Sequence, residues 1–416
     1  MFKKFWLDVI FGTIFIFGLM GLFNSVTAFK IFDVFDPIGN AFGDMELTDI
    51  VFSQLRDDPV ADDRVILVNL SNLSRGEIGM MLQIIAKYNP ACIGIDSFFY
   101  DPHEDDPEGD MMLMSGLESV GNLVLAEKLL LDDEDPTKDT VAYSWDVFNS
   151  FAEHNAFVNL ITDADTQEEL KMCRTFIPQQ EINGVNHVAF AVKMAEQYDS
   201  LAAAEFLNRN NLEEIINYRG NVLDYGATKF GNKYYALDVA DVFEENFTPD
   251  IIEGKVVMFC YLGRYLGDRE SFEDKFYTPL NEIYIGRAFP DMYGGVVHAN
   301  IISMILNRDY IDDMSDGAGY IFAIILCFLN VALFSLIYRK IPKWYDGITK
   351  LFQLMEIGVL TYGVIWVLEI YSFKAEIAIA LAAVALAGDS LEVYYGVVKN
   401  SFTKEGRKSL FKVDKL

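Results

Sequence analysis

The sequence predicts an α/β domain with a mainly parallel sheet, together with four transmembrane α-helices, one near the amino terminus and three near the carboxyl terminus. Two observations predict this class. Four apolar stretches each have the roughly 20 residues that a helix needs to cross a bilayer. Between the first and second of them, short β-branched runs alternate with helical patterns, which favours a parallel sheet covered by helices.

Charge is distributed unevenly along the 416 residues. The net charge is −29, although 52% of the residues are hydrophobic. Residues 29–316 contain 20 Lys or Arg and 53 Asp or Glu, whereas the rest of the chain contains 13 and 9. An acidic, water-facing domain is therefore joined to apolar, slightly basic segments. Because its negative field repels nucleic acid, we expect no nucleic-acid partner.

The apolar stretches and the charge pattern define the predicted organisation. The segments are an amino-terminal anchor at 1–29, an extracytoplasmic domain at 30–316, transmembrane helices at 317–338, 351–371 and 375–398, and a basic tail at 399–416. Residues 339–350 hold four basic residues and one acidic residue, and the tail holds six and two. By the positive-inside rule, both termini are expected in the cytoplasm and the acidic domain outside.

The first apolar stretch has a second interpretation. Lys3 and Lys4 precede it and the small residues Val26–Ala28 follow it, which is also the pattern of a cleaved secretory signal. The apolar run is longer than a typical signal core, and an even number of crossings agrees with the basic tail. We therefore favour a retained anchor.

The acidic domain is predicted to begin with a strand–helix–strand unit. Residues 65–70 form a β-branched run typical of a buried strand, and 75–87 show a helical pattern that ends before Asn89-Pro90. Residues 91–96 are a second apolar strand, so a parallel pair joined by a crossover is expected. Later predicted elements are a strand at 122–127, helices at 188–198 and 201–208, a strand at 255–261 and a helix at 296–307.

Three cysteines fall within this domain and a fourth within a transmembrane stretch. Cys92 and Cys260 lie in apolar strand-like runs, and Cys173 lies between them at an irregular spacing that is not typical of a disulfide framework. Buried free thiols are the favoured interpretation. A Cys92–Cys260 bridge stays open if the two strands are neighbours.

The order of these motifs resembles the type-two CHASE (CHASE2) domain, a sensory extracellular module of bacterial receptors. The matching pieces are RVILVNLSNLSRGEIG at 64–79, ACIGIDSFFYDP at 91–102, HNAFVNLITDADTQ at 154–167 with Arg174, INYRG at 216–220, EGKVVMFCYLG at 253–263, and Tyr277–Pro279 with GGVVHANIISMILNRDYI at 294–311. The resemblance covers about residues 30–398, including the crossings. It implies a multi-pass signal-transduction protein in a bacterial inner membrane, with its sensory domain in the periplasm.

This chain departs from the family pattern in three places. Asn69 stands where the first strand usually ends in an acidic residue, and Asp163-Ala-Asp165-Thr lacks the family's glycine. Family members usually continue into a cyclase or kinase, whereas 18 residues follow the last crossing here. We therefore expect signalling through a separate cytoplasmic partner. The alternative is a structural scaffold subunit of a cell-envelope complex, without sensing.

Candidate site residues come from strand ends and from the resemblance. Open α/β sheets bind ligands at the carboxyl ends of their strands. Asp96 ends the second strand and is the first candidate for ligand binding, followed by Asn69 and Ser71 at the end of the first strand. The resemblance implies a part in signal coupling for His298 and, less specifically, for Thr278 and Pro279, against the alternatives of a packed histidine and a fixed turn.

No catalytic residue, cofactor or resident metal is expected. The chain has no nucleotide-binding loop, no G-x-S-x-G elbow and no histidine pair with metal-ligand spacing on one helix. Acidic runs at 103–110 and 132–135, and the pair Asp163 and Asp165, could collect calcium. We favour solvated acidic loops.

Two acids stand out within the transmembrane stretches. Glu356 and Asp389 are costly to bury in lipid, and they could share a proton or face a partner's Lys or Arg. Alanines at four-residue spacing in the last helix favour close packing, within the bundle or against a second protein. The expected partners are the lipid bilayer and proteins of the membrane, envelope or cytoplasm, with a homo-oligomer as one arrangement.

Overall fold

The computed structural model describes residues 2–25, 49, 51–56, 60–132, 135–162, 172–222, 233–268, 270–281 and 289–399. It divides into two compact units. The domain unit is Asp49–Ile311, and the helical unit is Met1–Thr48 together with Asp312–Leu416. The fold is mixed α/β, with a mostly parallel sheet and four long apolar helices.

Strands and helices alternate through the domain unit. The strands are β1 Val65–Asn69, β2 Cys92–Ile95, β3 Leu123–Leu130, β4 Thr140–Ala142, β5 His154–Phe157, β6 Thr175–Phe176, β7 Gln179–Ile182, β8 Val185–Val188, β9 Glu214–Ile215, β10 Tyr235–Leu237, β11 Val256–Cys260, β12 Lys275–Phe276, β13 Met292–Tyr293, β14 Asp312–Asp313 and β15 Phe373–Lys374. The helices are α1 Phe2–Ser25, α2 Arg75–Ala86, α3 Pro107–Glu118, α4 Asp146–Asn149, α5 Phe190–Tyr198, α6 Ser200–Leu207, α7 Val239–Phe243, α8 Gly294–Asn307, α9 Asp316–Lys340, α10 Tyr345–Tyr371 and α11 Ala378–Val393. Strands β14 and β15 and helices α1 and α9–α11 belong to the helical unit.

The central sheet of the domain unit has seven of the described strands. Their order is β10-β1-β11-β2-β3-β4, and β5 pairs with β3 as well. Neighbours are parallel except β3 and β4, which are antiparallel. The predicted mainly parallel sheet is confirmed.

The pairing predicted for the first strand–helix–strand unit is wrong. β1 and β2 are parallel and joined through α2, but β11 lies between them and pairs with both. Every residue of β11 is buried, which suits a strand that has neighbours on both edges and helices on both faces. No local signal reveals that a strand near residue 256 enters between two strands that are consecutive in the chain.

Most predicted boundaries agree with the structure within one or two residues. The α2 helix begins with a capping box in which Ser74 and Glu77 exchange hydrogen bonds. The predicted helix at 188–198 starts instead at Phe190, because Val188 pairs with Gln179 in the β7–β8 hairpin. The short antiparallel pairs β6–β9, β7–β8 and β12–β13 were not predicted.

Helices α2 and α3 cover one face of the sheet and contact each other through glycines. A Cβ atom on Gly79 would lie 2.3 Å from the backbone oxygen of Met112, and one on Gly116 would lie 2.5 Å from the oxygen of Gly79. Glycine is needed at both positions because the two backbones touch. The apolar core beneath them includes Ile66, Met81, Ile93, Leu113 and Phe259.

Substituting Gly79 by alanine is expected to destabilise the domain unit by about 2 kcal/mol, because a methyl group cannot fit against backbone that cannot rotate away. The Gly121→Ala variant is the matched control, since a Cβ there meets nothing within 4 Å. Thermal unfolding of the full-length protein in detergent would measure both. Equal melting temperatures for the two variants would contradict the close contact.

The helical unit contains four helices that are long and apolar enough to cross a membrane, by length and composition, within the described residues. Their spans are Lys3–Leu22, Asp316–Lys340, Pro342–Tyr371 and Ala378–Val398, the last including a π-helical segment at Tyr394–Val398. Buried side chains of α1, α9 and α11 form one apolar cluster. Ala383 and Ala387 are fully buried within this unit, whereas Ala378 and Ala382 are exposed.

Candidate functional site

Three neighbouring strands of the domain unit end side by side. Asn69 at the end of β1 is the register partner of Cys260 at the end of β11. The amide of Asp96, just beyond β2, donates a hydrogen bond to the oxygen of Phe259 at 2.9 Å. The predicted candidates Asn69, Ser71 and Asp96 therefore share one edge of the sheet, and their ligand role stays a prediction.

Asn69 is buried and holds the loop that follows β11 in place through its side-chain hydrogen bonds. Its Nδ2 donates to Asp238 Oδ1 and to the oxygen of Gly263, both at 3.0 Å. Its Oδ1 accepts from the amides of Ser71 at 3.0 Å and Leu262 at 2.9 Å. All of its polar capacity is used inside the domain unit, so its contribution to a site is to position the loop. A carboxylate here could not donate to Asp238 and Gly263, which accounts for the amide in this chain.

Ser71 forms the turn after β1. Its φ of 46° is left-handed, and its Oγ donates to the oxygen of Arg264 at 2.7 Å. Gly263 has a φ of +98°, and a Cβ there would lie 2.6 Å from the hydroxyl of Tyr293, so glycine is required at this bend. The turn and the loop are thus held together at the carboxyl edge of the sheet.

Asp96 is the most perturbed acid of this edge. Burial and the nearby charge of Asp274 raise its pKa to about 8. Burial, with these two carboxylates, also raises the pKa of the Cys260 thiol. At neutral pH Asp96 is therefore mostly protonated and can donate a hydrogen bond, and a cationic group placed beside it would drive its proton off.

The amino terminus of α8 enters the same region. A Cβ on Gly295 would lie 2.4 Å from the sulfur of Cys260, and one on Gly294 would lie 2.9 Å from Asp274 Oδ2. The amide of Gly294 also donates to the oxygen of Asp274 at 2.9 Å. The two glycines let the positive end of the helix dipole approach Asp274, where a carboxylate is favoured.

An open groove of about 460 Å³ lies at the outer side of this edge. Its lining residues are Asn72, Tyr261, Arg264, Glu270, Ser271, Phe272 and Glu273. Arg264 Nε donates to Asp268 Oδ2 at 2.7 Å, and its Nη2 donates to Glu270 Oε2 at 3.1 Å. The hydrogen bond from Arg264 lowers the pKa of Asp268 to about 2. The groove thus offers aromatic walls, a half-exposed guanidinium and the carboxyl groups of two glutamates.

Thr278 and Pro279 belong to a buried turn beside β13. The amide and hydroxyl of Thr278 donate to the two carboxylate oxygens of Asp291, at 2.9 and 2.6 Å. Asn281 Nδ2 donates to the same carboxylate at 3.2 Å. Burial raises the pKa of Asp291 to about 6. These contacts describe a fixed turn, and signal coupling through Thr278 and Pro279 stays a prediction.

His298 is buried on the face of α8 that packs against Phe190. The two rings meet edge to face with centroids 5.6 Å apart, and burial lowers the imidazole pKa to about 4. His298 is therefore neutral at physiological pH. Its Nδ1 has no hydrogen-bond partner among the described residues. The packing supports a structural histidine, and its part in signal coupling stays a prediction.

Asn300, two residues further along α8, was not singled out from the sequence. Its Oδ1 accepts from the amides of Arg219 at 2.6 Å and Gly220 at 3.2 Å, and its Nδ2 donates to the oxygen of Gly220 at 2.9 Å. The residue is completely buried. Asn300 therefore clamps the INYRG segment to α8. An asparagine in the middle of a mostly apolar helix was the signal that could have revealed this role.

The acidic run at 103–110 is used for local structure. Asp106 caps α3 through the amide of Gly109, and Asp110 forms an ion pair with Arg75 at 2.7 Å. No group of three or more His, Cys, Asp or Glu that could hold a metal ion occurs among the described residues. Asp163, Asp165 and residues 133–134 lie outside them. All four cysteines are free and buried, so the Cys92–Cys260 bridge is not formed.

The intramembrane acids of the helical unit have separate partners. Glu356 accepts from Asn330 Nδ2 at 2.8 Å, and Asp389 pairs with Lys350 at 2.5 Å. The two acids are not paired with each other; Asp389 faces a lysine of its own chain, and the expected contact with a partner's Lys or Arg stays a prediction. Both Lys350 and Asp389 are more than half exposed, so their pair contributes little to stability.

Asp8 forms an ion cluster that sequence analysis missed. Its Oδ2 lies 2.6 Å from Arg339 Nη2 and 2.6 Å from Lys399 Nζ. Asp8 is 8% exposed, so one buried carboxylate ties α1 to the ends of α9 and of the π-helical segment. A lone acid at the start of an apolar stretch was the available signal.

An α/β domain with a polar edge at its strand ends is joined in sequence to four helices that are long and apolar enough to cross a membrane, which is the organisation of a membrane protein. The chain belongs to the CHASE2 domain family, whose match covers residues 44–334. CHASE2 is a sensory domain family, and the resemblance seen in the sequence is thereby confirmed. No curated protein and no solved structure gives a significant match.

Proposed function

We propose that this protein is a sensory protein of a bacterial inner membrane that binds a small polar ligand at the carboxyl edge of its sheet. One observation carries the proposal: α8 begins beside Cys260 and Asp274, and the chain continues from its end into α9 within nine residues. A ligand that displaces the start of α8 would therefore act on the element that leads directly into a membrane-spanning helix.

The helix α8 is suited to transmit a displacement. It has 14 residues, so it spans about 21 Å. All but its last residue are buried, and Asn300 fixes it to the INYRG segment. Because a packed helix moves as a unit more easily than it bends, a shift at Gly294 would reach Asn307. His298 and the Thr278 turn would then control how freely α8 moves.

Ligand chemistry follows from Asp96 and the groove. A ligand with an amine or another cationic group would favour the ionised form of Asp96, whereas a neutral polar ligand would accept a hydrogen bond from the protonated form. The exposed side chains of Phe272 and Arg264 would contact a larger ligand. We infer a binding role without a catalytic step and without a cofactor.

The proposed topology places the domain unit outside the cytoplasm and both termini inside. In spheroplasts, a membrane-impermeant maleimide is expected to label Glu118→Cys in the domain unit and to spare Lys343→Cys between α9 and α10. Both positions are exposed, so access decides the result. Labelling of the native cysteines is expected to be low, since all four are buried. Burial also raises the pKa of Cys92 to about 12, which disfavours the thiolate that reacts with maleimide. If only Lys343→Cys were labelled, the opposite topology would be indicated, with the domain unit in the cytoplasm.

Signalling through a separate cytoplasmic partner is the proposed output. The test is purification of the full-length protein in mild detergent from its native membrane, with wild type, Asp96→Ala and a variant truncated after Lys399. A cytoplasmic kinase, cyclase or regulator that is retained by wild type and lost with the basic tail would support a split receptor. Asp96→Ala should abolish the response of the cytoplasmic partner to the ligand, while the complex with that partner stays intact.

The alternative proposal is a scaffold subunit of an envelope complex. The strongly acidic domain favours it, since such a surface could dock a basic outer protein. Recovery of envelope proteins without any cytoplasmic enzyme, equally with wild type and Asp96→Ala, would support the scaffold and overturn the sensory proposal.

A further inference from the structure

The helical unit contains an apolar groove of about 500 Å³ between α1 and the π-helical segment Tyr394–Val398. Its lining residues are Phe11, Ile14, Phe15, Tyr394, Val398 and Lys399. Phe11 and Ile14 are 55% and 60% exposed, so the groove opens on the face of α1 that acyl chains would contact. Lys399 is the one charged residue of the lining.

The end of the groove at Lys399 carries excess positive charge. Asp8 is shared between Lys399 and Arg339, so two cations meet one carboxylate and one positive charge remains. No other ion pair of Lys399 or Arg339 forms within the described part of the chain. The ammonium of Lys399 also lies 4.9 Å from the ring centroid of Tyr395, which holds it beside the groove. A lipid phosphate would complete this charge balance.

The helix geometry at the groove is irregular. The α-helix α11 changes to π-helix at Tyr394, and the residues of that segment supply one wall. Single π turns within α-helices are rare and are frequently found at functional sites. The wall therefore differs from the regular surface that the other helices present to lipid.

We propose that this groove binds one anionic phospholipid, with an acyl chain along Phe11 and Phe15 and its phosphate at Lys399. The charge decides between lipid classes. A zwitterionic headgroup brings its own cation and leaves the positive charge at Lys399 uncompensated, whereas phosphatidylglycerol neutralises it. The bound lipid would join α1 to the end of α11 and so stabilise the cluster around Asp8.

The test is native mass spectrometry of the full-length, delipidated protein titrated with phosphatidylglycerol and with phosphatidylcholine of identical chains. Wild type is expected to retain one phosphatidylglycerol with about a fivefold preference, as a single basic residue near the headgroup confers. Lys399→Gln should lose the preference, and Lys399→Arg should keep it. Lys340→Gln is the matched control, since Lys340 is an exposed lysine at the end of α9 outside the groove lining.

A second variant keeps the proposal testable if Lys399→Gln fails to fold. Ile14→Trp fills the groove without changing charge and should reduce the retention of both lipids. Addition of soluble glycerol phosphate distinguishes a lipid site from a phosphate site. Three outcomes would each overturn the proposal. Lys399→Gln could keep the preference for phosphatidylglycerol, or Ile14→Trp could retain both lipids fully. Glycerol phosphate at equal concentration could displace the lipid.

Discussion

Replacing Asn300 by alanine is expected to destabilise the domain unit by about 3 kcal/mol. The substitution leaves the amides of Arg219 and Gly220 and the oxygen of Gly220 without partners in a region from which water is excluded. Each unsatisfied buried group costs about 1–3 kcal/mol, so even partial relaxation leaves a large loss. Thermal unfolding of the full-length protein would measure the loss of stability.

The matched control for this substitution lies on the same helix. Asn307 is exposed at the end of α8, so Asn307→Ala should cost less than Asn300→Ala. Hydrogen exchange adds a local measurement, because the amides of residues 219 and 220 should lose protection in Asn300→Ala alone. If these amides were equally protected in both variants, the hydrogen bonds of Asn300 would not be needed to hold the INYRG segment, and the proposed role of α8 would be weakened.

Substituting Asp96 by asparagine is expected to stabilise the domain unit at pH 8 and to leave it unchanged at pH 4. The pKa of Asp96 is about 8 in the folded protein and about 4 in an unfolded chain. The folded state therefore binds the proton more tightly, and this contribution to stability is complete below pH 4. It is lost progressively as the pH rises to 8, because ionisation of a half-buried acid beside Asp274 is unfavourable.

Asparagine has no such proton, so the variant lacks this part of the pH dependence. Allowing for the partial exposure of Asp96, we expect a gain of about 2 kcal/mol at pH 8. Glu153→Gln, which changes an exposed acid of the same domain unit, is the control variant. Melting temperatures from pH 4 to 8 would measure all three proteins. Parallel curves for wild type and Asp96→Asn would contradict the raised pKa.

The proposed sensory role predicts that a stabilised Asp96→Asn variant still responds poorly. A fixed amide cannot change charge when a cationic ligand arrives, although it can still donate and accept hydrogen bonds. Loss of response together with gained stability would separate a binding role of Asp96 from a structural one. A full response in this variant would exclude ligand-linked ionisation of Asp96 from the mechanism.

Sequence patterns predicted the local features of this protein well. The four apolar stretches and the strand runs at β1, β2, β3 and β11 follow from composition and periodicity, which act over a few residues. The ends of β1 and β2 could therefore be identified as a candidate edge, with Asp96 and Asn69 on it. The position of β11 between them could not, since strand pairing joins residues about 190 positions apart.

The sequence by itself determined the class of this protein: apolar helices, an acidic α/β domain, and the order of motifs that marks its family. Only the tertiary structure decided what single polar residues do. Asn69 holds the loop after β11, Asn300 holds the INYRG segment against α8, and Asp8 is the centre of an ion cluster. The sequence does not reveal these roles because the partners of each residue are distant in the chain. A buried polar group is stable only with its partners, and only the folded chain brings those partners together.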